Sequence, residues 1–359
     1  MSPRFILKVG DTIMDWCGWE FEHNALNEAG VIHIRLPVKA DKWAWWTQQT
    51  EIIVDAYIGY PADPHNYSAA DLVHMMRARI DSLEFDLGQG LITMSGRDLT
   101  GLLIDIKSDE KFPNQTASQI AQKLAAQVGL KSQVQPTTAL VGNYYSVDHV
   151  LLQREETLWT LLTYLAQHEG VQCFVLGDTL YFGNFATLIG PGAYPIGVTA
   201  PGPNAYPMAN AEHIVFSHDL TLAQDVSVTV RSYHGQKNAR FQATATLQQK
   251  KTVAHGSIPI TPTQTYTYIV PGLDLQGCQQ KAQQYLQQIT QHEYRVSATL
   301  PGGELFYPWT PIVVSGTGTP FDATYTVERI RRTFDPSSKR FECQFSAKTM
   351  PAQPSVNLS

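Results

Sequence analysis

Between Phe5 and Met94 the pattern of apolar residues is dominated by period two. Ile32, Ile34 and Leu36 alternate with His33 and Arg35, and Ile52, Val54, Ala56 and Ile58 line one face of the next run. Leu83, Phe85 and Leu87 then alternate with Ser82, Glu84 and Asp86, Gly88-Gln89-Gly90 supplies a turn, and Leu91-Ile92-Thr93-Met94 returns as the partner strand. Side chains on an extended chain point alternately to opposite faces, so period two predicts half-buried strands, here a hairpin within a small antiparallel sheet or barrel spanning 1–107.

The period then changes. Thr116 caps a predicted helix with Ile120, Leu124 and Val128 on one face and Gly129 at its stop; a second helix runs from Glu156 to Glu169 with Leu158, Leu161, Leu162 and Leu165 as its stripe and Gly170 as its end. The strands Val171–Val175 and Asp178–Phe182 follow, so 108–190 reads as a compact α+β unit. Thr179 to Ala211 carries no charge but holds Pro191, Pro195, Pro201, Pro203 and Pro207, which excludes a spanning helix and makes 191–211 a Pro/Gly-rich connection. Alternation returns in Val226, Val228 and Val230, in Phe241, Ala243 and Ala245, in Tyr294, Val296 and Ala298, and in Phe341, Cys343 and Phe345. These runs predict a second β-barrel domain over 212–350, interrupted by one helix at about 275–292, and 351–359 reads as a flexible tail. A faint internal echo links the two β-regions: Arg79-Ile80 precedes Phe85-Asp86 as Arg329-Ile330 precedes Phe334-Asp335, each before a turn.

Composition agrees with this picture. Of 359 residues 43% are hydrophobic and only 16% charged, with 25 Gly, 21 Pro and 16 Tyr, a balance that favours strands and loops over long charged helices. A net charge of -6 without a Lys/Arg cluster argues against a protein that neutralises nucleic-acid phosphates. Cys17, Cys173, Cys278 and Cys343 are far apart and form no CxxC pair, so neither a zinc site nor a disulfide framework is expected. No basic segment followed by an apolar stretch opens the chain, and synthesis in the cytoplasm is the expectation.

Candidate chemistry is sparse. Glu155, Glu156, Glu169 and Asp178 are the carboxylates available for a cell-wall hydrolase, but Glu155 and Glu156 fit the favourable end of a helix dipole and Glu169 and Asp178 fit solvated ends. His213 and His218 with Asp219 fall on opposite faces of an extended segment, His168-Glu169 lacks a second histidine one turn away, and Ser95-Gly96 is not within a GxSxG elbow. Neither catalysis, a cofactor nor a metal is expected. The cluster Trp43-Ala44-Trp45-Trp46 is open to three readings: core packing, a protein interface, or sugar stacking. Strand alternation would send Trp43 and Trp45 to one face and Trp46 to the other.

The most informative stretch is Ser95-Gly96-Arg97-Asp98-Leu99, which leaves the hairpin and leads into the apolar run ending at Ile106. Gly96 is expected to permit a bend, and Arg97 beside Asp98 to tie the corner through charge-assisted hydrogen bonds. The stretch resembles the Mu-type tail hub family of contractile phage baseplates, in which a "GRD" or "GRN" before a Leu-rich segment closes the first barrel. The order of helix, strand, helix and hairpin, with Glu156-Thr157-Leu158-Trp159 and Leu180-Tyr181-Phe182, is similar to the middle domain of the same hubs. The resemblance implies a mainly β chain with an α+β insert: two tube-protein-like antiparallel β-barrels plus a small α+β domain. It further implies a virion protein of the tail baseplate: a homotrimeric ring that joins the tail tube protein to the central spike protein, contacts other baseplate proteins, touches no membrane, and passes DNA through its lumen without specific binding. A hub-like spike protein of a secretion system is the related alternative.

Overall fold

The computed structural model describes residues 3–25, 27–38, 42–108, 110–138, 140, 156–190, 192–199, 202, 206, 208–220, 226–234, 239–247, 264–290, 293–304, 306–335 and 340–349. The expected 351–359 tail and Glu155 lie outside them. The period-two runs become strands β1 (Arg4–Val9), β2 (Thr12–Met14), β3 (Gly18–Asn24), β4 (Val31–Pro37), β5 (Ile53–Gly59), β6 (Val73–Asp86) and β7 (Leu91–Asp98). Their inward residues, among them Leu7, Phe21, Ile32, Ile34, Val54 and Met94, make the first core. The segment Trp43–Thr47 departs from expectation: it is a short helix, α1, not a strand. Helical spacing places Trp43 and Trp46 three residues apart on one side, where Trp46 is 3% exposed and Trp43 meets Phe85, while Trp45 is 43% exposed.

The second core contains the two expected helices and the hairpin but begins before residue 108, taking in Leu99 and Leu103. It comprises α2 (Thr100–Asp105), β8 (Lys107–Ser108), α3 (Ala117–Gln127), β9 (Lys131–Val134), β10 (Glu156–Thr157), α4 (Leu158–Glu169), β11 (Gln172–Leu176), β12 (Thr179–Gly183) and α5 (Phe185–Leu188). Thr116 and Gln119 cap α3 reciprocally, and Thr157 caps α4, so Glu156 precedes that helix and pairs with Ser108 instead of entering its first turn. Gly170 ends α4 in a left-handed backbone, φ 72°. Ile120, Leu124, Leu162, Leu165, Leu180 and Phe182 are fully buried between the helices and the small sheet.

The remaining strands are β13 (Tyr194–Thr199), β14 (Met208–Ala209), β15 (His213–His218), β16 (Val226–His234), β17 (Ala239–Leu247), β18 (Gln264–Ile269), β19 (Tyr294–Pro301), β20 (Pro311–Ser315), β21 (Thr324–Asp335) and β22 (Arg340–Thr349), with helix α6 (Leu275–Thr290). Two findings alter the expected layout. The Pro/Gly-rich stretch 191–211 is more than a connection: β13 runs parallel to β20 and buries Ile196 completely, Pro195 being tolerated in a strand at the margin of the sheet. The region 212–350 holds two cores rather than one. Tyr325, Val327, Ile330, Leu300 and Cys343 fill the first; β16, β17 and β18 pack Val226, Val228 and Val230 against Cys278, Ala282 and Leu286 of α6 in the second. This unit is inserted between His218 and Tyr294, which are cross-strand partners.

A single sheet ties the β-regions together. Its strands run β14-β13-β20-β21-β3-β4-β7-β6-β5-β1-β2, with β22 between β21 and β19, and β15 outside β19. Its two halves meet where β21 pairs antiparallel with β3, from Arg329 opposite Asn24 to Phe334 opposite Trp19. Among the described residues no helix is long and apolar enough to cross a membrane.

Candidate functional site

Ser95–Asp98 are the last residues of β7 and Leu99 precedes α2, and their contacts differ from those the sequence suggests. Gly96 lies inside β7, between Ile32 and Ile80, at a bulge in β6 that leaves Asp81 unopposed. A Cβ there would stand 2.3 Å from the Arg79 carbonyl oxygen and 2.9 Å from the Ile80 Cα, so the residue permits close backbone contact, not a bend. Arg97 and Asp98 do not pair with each other, because neighbours on a strand point to opposite faces. Arg97 donates through Nε and Nη2 to Asp81 at 2.6 and 3.0 Å and through Nη1 to Asp105 at 2.9 Å, and Arg79 also binds Asp105. These bonds hold the Arg97 guanidinium above its usual pKa and the Asp105 carboxyl below its own.

Asp98 turns the other way. Its Oδ2 accepts from the Gly30 amide at 2.8 Å and its Oδ1 from the Thr100 amide at 3.0 Å, so it fastens the β3–β4 connection to the first turn of α2. Burial disfavours its charged form and pushes the carboxyl up to about 6. Leu99 follows as a buried member of the second core. The corner thus joins the two cores through one charged network outside and one carboxylate inside.

The joint between the sheet halves is the second feature. On its polar face Arg331 donates to Glu20 at 2.7 Å and Arg329 to Glu22 at 2.5 Å, and Arg35 meets Asp335 at 3.4 Å. Beneath it Trp19 stacks on Phe5 and Phe21 and meets Phe334 and Phe341 from the second half, with Trp16 edge-on to Phe334. Arg332 is fully buried at the same joint, donating through Nη2 to the carbonyls of Phe306 (2.7 Å) and Glu304 (3.0 Å) and lying over the Phe306 ring. His23 lies beside it, its imidazole lowered to about 3 by burial and by the Arg332 charge. No pattern in the sequence marks Arg332 as interior; it stands in a run of arginines whose neighbours, Arg329 and Arg331, are exposed.

A narrow cleft at the meeting of the units is lined by His23, Asp98, Trp159, Phe174 and Trp309. Rings occupy it: Trp309 packs on Phe174 and Phe185, and the Trp159 indole donates to the Asn27 carbonyl at 2.7 Å. The cleft therefore reads as a docking joint of the second core against the sheet.

The other candidate groups are dispersed. Asp178 is held low by Lys131 at 2.8 Å, and Glu169 stands at the end of α4 near His168 and Lys281. His213 and His218 are at opposite ends of β15, with His218 stacked on Tyr294 and 3.4 Å from Glu293. Among the described residues no group of three or more His, Cys, Asp or Glu converges as metal ligands do. The thiols of Cys173 and Cys343 are raised by burial, which disfavours the nucleophilic thiolate.

No family model matches the sequence, and no curated protein is significantly similar to it. Solved structures do match over almost the entire chain. The tail protein from Neisseria meningitidis MC58 is 16% identical with a TM-score of 0.67, 97% of each chain being covered. The 43 kDa tail protein of prophage MuSo2 from Shewanella oneidensis is 15% identical with a TM-score of 0.63, covering 96% of this chain and 97% of the other. Prophage tail protein gp18 from Listeria monocytogenes EGD-e is 10% identical with a TM-score of 0.56, covering 96% and 94%. The mainly β fold with its α+β parts is the fold of these tail proteins.

Proposed function

We propose that this chain is the structural hub of a contractile phage-type tail, a homotrimeric ring at the baseplate that joins the tail tube to the central spike and passes DNA during ejection. One observation carries the reading: two β-units of one chain share a continuous sheet, β6-β7-β4-β3-β21-β22-β19-β15, with cores on one side and a polar face on the other. Three such chains supply six similar units, which fits a six-fold tube to a three-fold spike. Rings of this kind need heterologous contacts that close after a set number of copies.

The polar face suits a channel. Glu20, Glu22, Arg329 and Arg331 neutralise one another across the joint, so the wall carries no unbalanced positive field there to retain phosphates. The work is mechanical and needs no catalytic residue. Ser95, Gly96, Arg97, Asp98 and Leu99 serve as the corner that keeps the first barrel and the α+β part in fixed relation, and exposed Trp45 at the barrel rim serves as an interface residue supported by Trp43 and Trp46. The experiment is reconstitution with the tube and spike proteins of the same particle. Co-assembly in a ternary complex is the expected result; a chain that binds neither protein contradicts the reading.

A further inference from the structure

The unit of β16, β17, β18 and α6 is joined to the large sheet by a two-strand neck. Strands β15 and β19 pair up to His218 opposite Tyr294, and the chain leaves and returns one residue further on, where the Asp219 amide donates to the Glu293 carbonyl at 2.8 Å. Two rings brace the neck, His218 stacking on Tyr294 with 4.4 Å between centroids. Beyond it the unit fills its own core: the buried members, from Val226 to Leu286, belong to its strands, to α6 or to the turn before α6. A unit joined in this way turns about its neck without opening a core.

It rests on the end of α4 through a polar seam. Lys281 donates through Nζ to the His168 carbonyl at 3.3 Å, and Gln284 through Nε2 to the Gln167 carbonyl at 2.7 Å. These acceptors lie in the last turn of α4, where the helix leaves carbonyls short of donors and its dipole favours a cation. The Gln284 Oε1 accepts a further bond from Lys281 at 2.9 Å. A cleft of about 250 Å³ runs through the seam, with His168 and Glu169 on one side and Gln280, Lys281 and Gln284 on the other. Hydrogen bonds beside such a cleft exchange for bonds to water at modest net cost, so the seam opens more readily than an apolar contact.

The charges of the seam make it sensitive to a proton. Lys281 brings a positive charge from α6 and Glu169 a negative one from α4, while the His168 imidazole, with Tyr164 of its own helix beside it, has its Nδ1 3.7 Å from Glu169 Oε1. With His168 neutral, one cation faces one carboxylate; with His168 protonated, two cations share it. Burial and the Lys281 charge hold the imidazole below its ordinary value against the pull of Glu169, and burial lowers the Lys281 ammonium too. The docked seam therefore disfavours added positive charge.

We propose that this unit is a hinged arm that stays docked on α4 at neutral pH and swings off it about the His218–Tyr294 neck when His168 takes up a proton. The sign follows from linkage: a base held low in the docked form leaves docking complete above the ordinary imidazole value of about 6.5 and weakens it as pH falls below. With one proton involved, the docked-to-released ratio falls by at most about tenfold per pH unit. The arm acts within one chain, so the inference is independent of the ring proposed above.

The test is the distance between spin labels at Gln122→Cys on α3 and Thr267→Cys on β18, both exposed, in the full chain with Cys17→Ser, the other cysteines being buried. Dilution with unlabelled chain restricts the reading to pairs within one chain. A single narrow distribution is expected at pH 8; at pH 5 a longer, broad component grows as the docked-to-released ratio falls about tenfold, and it disappears on neutralisation. His168→Gln keeps the narrow distribution at both pH values. A wild-type distribution that is the same at both pH values overturns the proposal, and so does acid broadening that persists in His168→Gln, because another group would then be the trigger. Loss of the helical circular dichroism signal at pH 5 overturns it as well, since the unit would then be melting and not swinging.

Discussion

At the residue scale the corner is governed by one missing side chain and one misplaced charge. Gly96→Ala puts a carbon 2.3 Å from the Arg79 carbonyl oxygen, a backbone atom that has no rotamer through which to retreat. We expect a loss of about 2–3 kcal/mol in chemical denaturation, the usual cost of forcing an extra carbon into a closed contact; a loss below about 0.5 kcal/mol would show that β6 yields easily. Asp98, whose carboxyl is raised to about 6, prefers to be neutral in the folded chain. Its contribution is therefore complete below the unfolded carboxyl value near 4 and is lost as pH rises through about 6. His23, lowered to about 3, acts oppositely, with stability present above 6.5 and lost as pH falls towards 3. The two slopes overlap, so the Asp98 term is read as the difference between the wild type and Asp98→Asn. That difference shifts against the wild type between pH 4 and 6, and a constant difference across this window contradicts the burial argument. The sequence singled out residues 95–99 but not their partners: Asp81, Asp105 and Gly30 are brought to them by pairing, which local sequence does not encode.

At the element scale the period-two runs identified nearly all the strands that hold the two large cores, because one face of each is buried and the other wet. Among the elements that escaped that reasoning, three did so for identifiable reasons. Trp43–Thr47 is too short for a helical period to declare itself. Residues 194–199 were masked by proline and glycine, though β13 needs only one buried face and a parallel partner in β20. The unit of β16, β17, β18 and α6 shares its alternation with the flanking strands, and only the pairing of His218 with Tyr294 reveals it as an insertion. Two predictions follow from these placements. Trp46→Ala costs about 3–5 kcal/mol on unfolding because the ring is buried, whereas Trp45→Ala leaves folding within about 0.5 kcal/mol and weakens assembly instead; equal losses of stability would return all the indoles to core packing. Replacing 219–293 by a short turn leaves the rest of the chain folded, with a melting temperature within about 5 °C as read by circular dichroism. Among the described residues its links to α4 include Lys281 to the His168 carbonyl at 3.3 Å and Gln284 to the Gln167 carbonyl at 2.7 Å, and collapse of the remaining fold on this deletion would mean that the insertion is integral.

For the whole molecule, the echo of Arg79-Ile80 and Phe85-Asp86 in Arg329-Ile330 and Phe334-Asp335 acquires a physical meaning. The two quartets occupy corresponding positions of two hairpins, and both hairpins lie in one sheet. The sequence displayed the repeat without its use, since strand order and edge exposure are properties of the assembled sheet. A chain with matched halves and a polar face is suited to ring closure. The most direct test is native mass spectrometry of the purified full chain, with symmetry analysis of electron-microscope images of the same sample. A species of three chains with a central opening and three-fold symmetry is the predicted result; a closed monomer, or a two-fold dimer without a channel, would contradict the account.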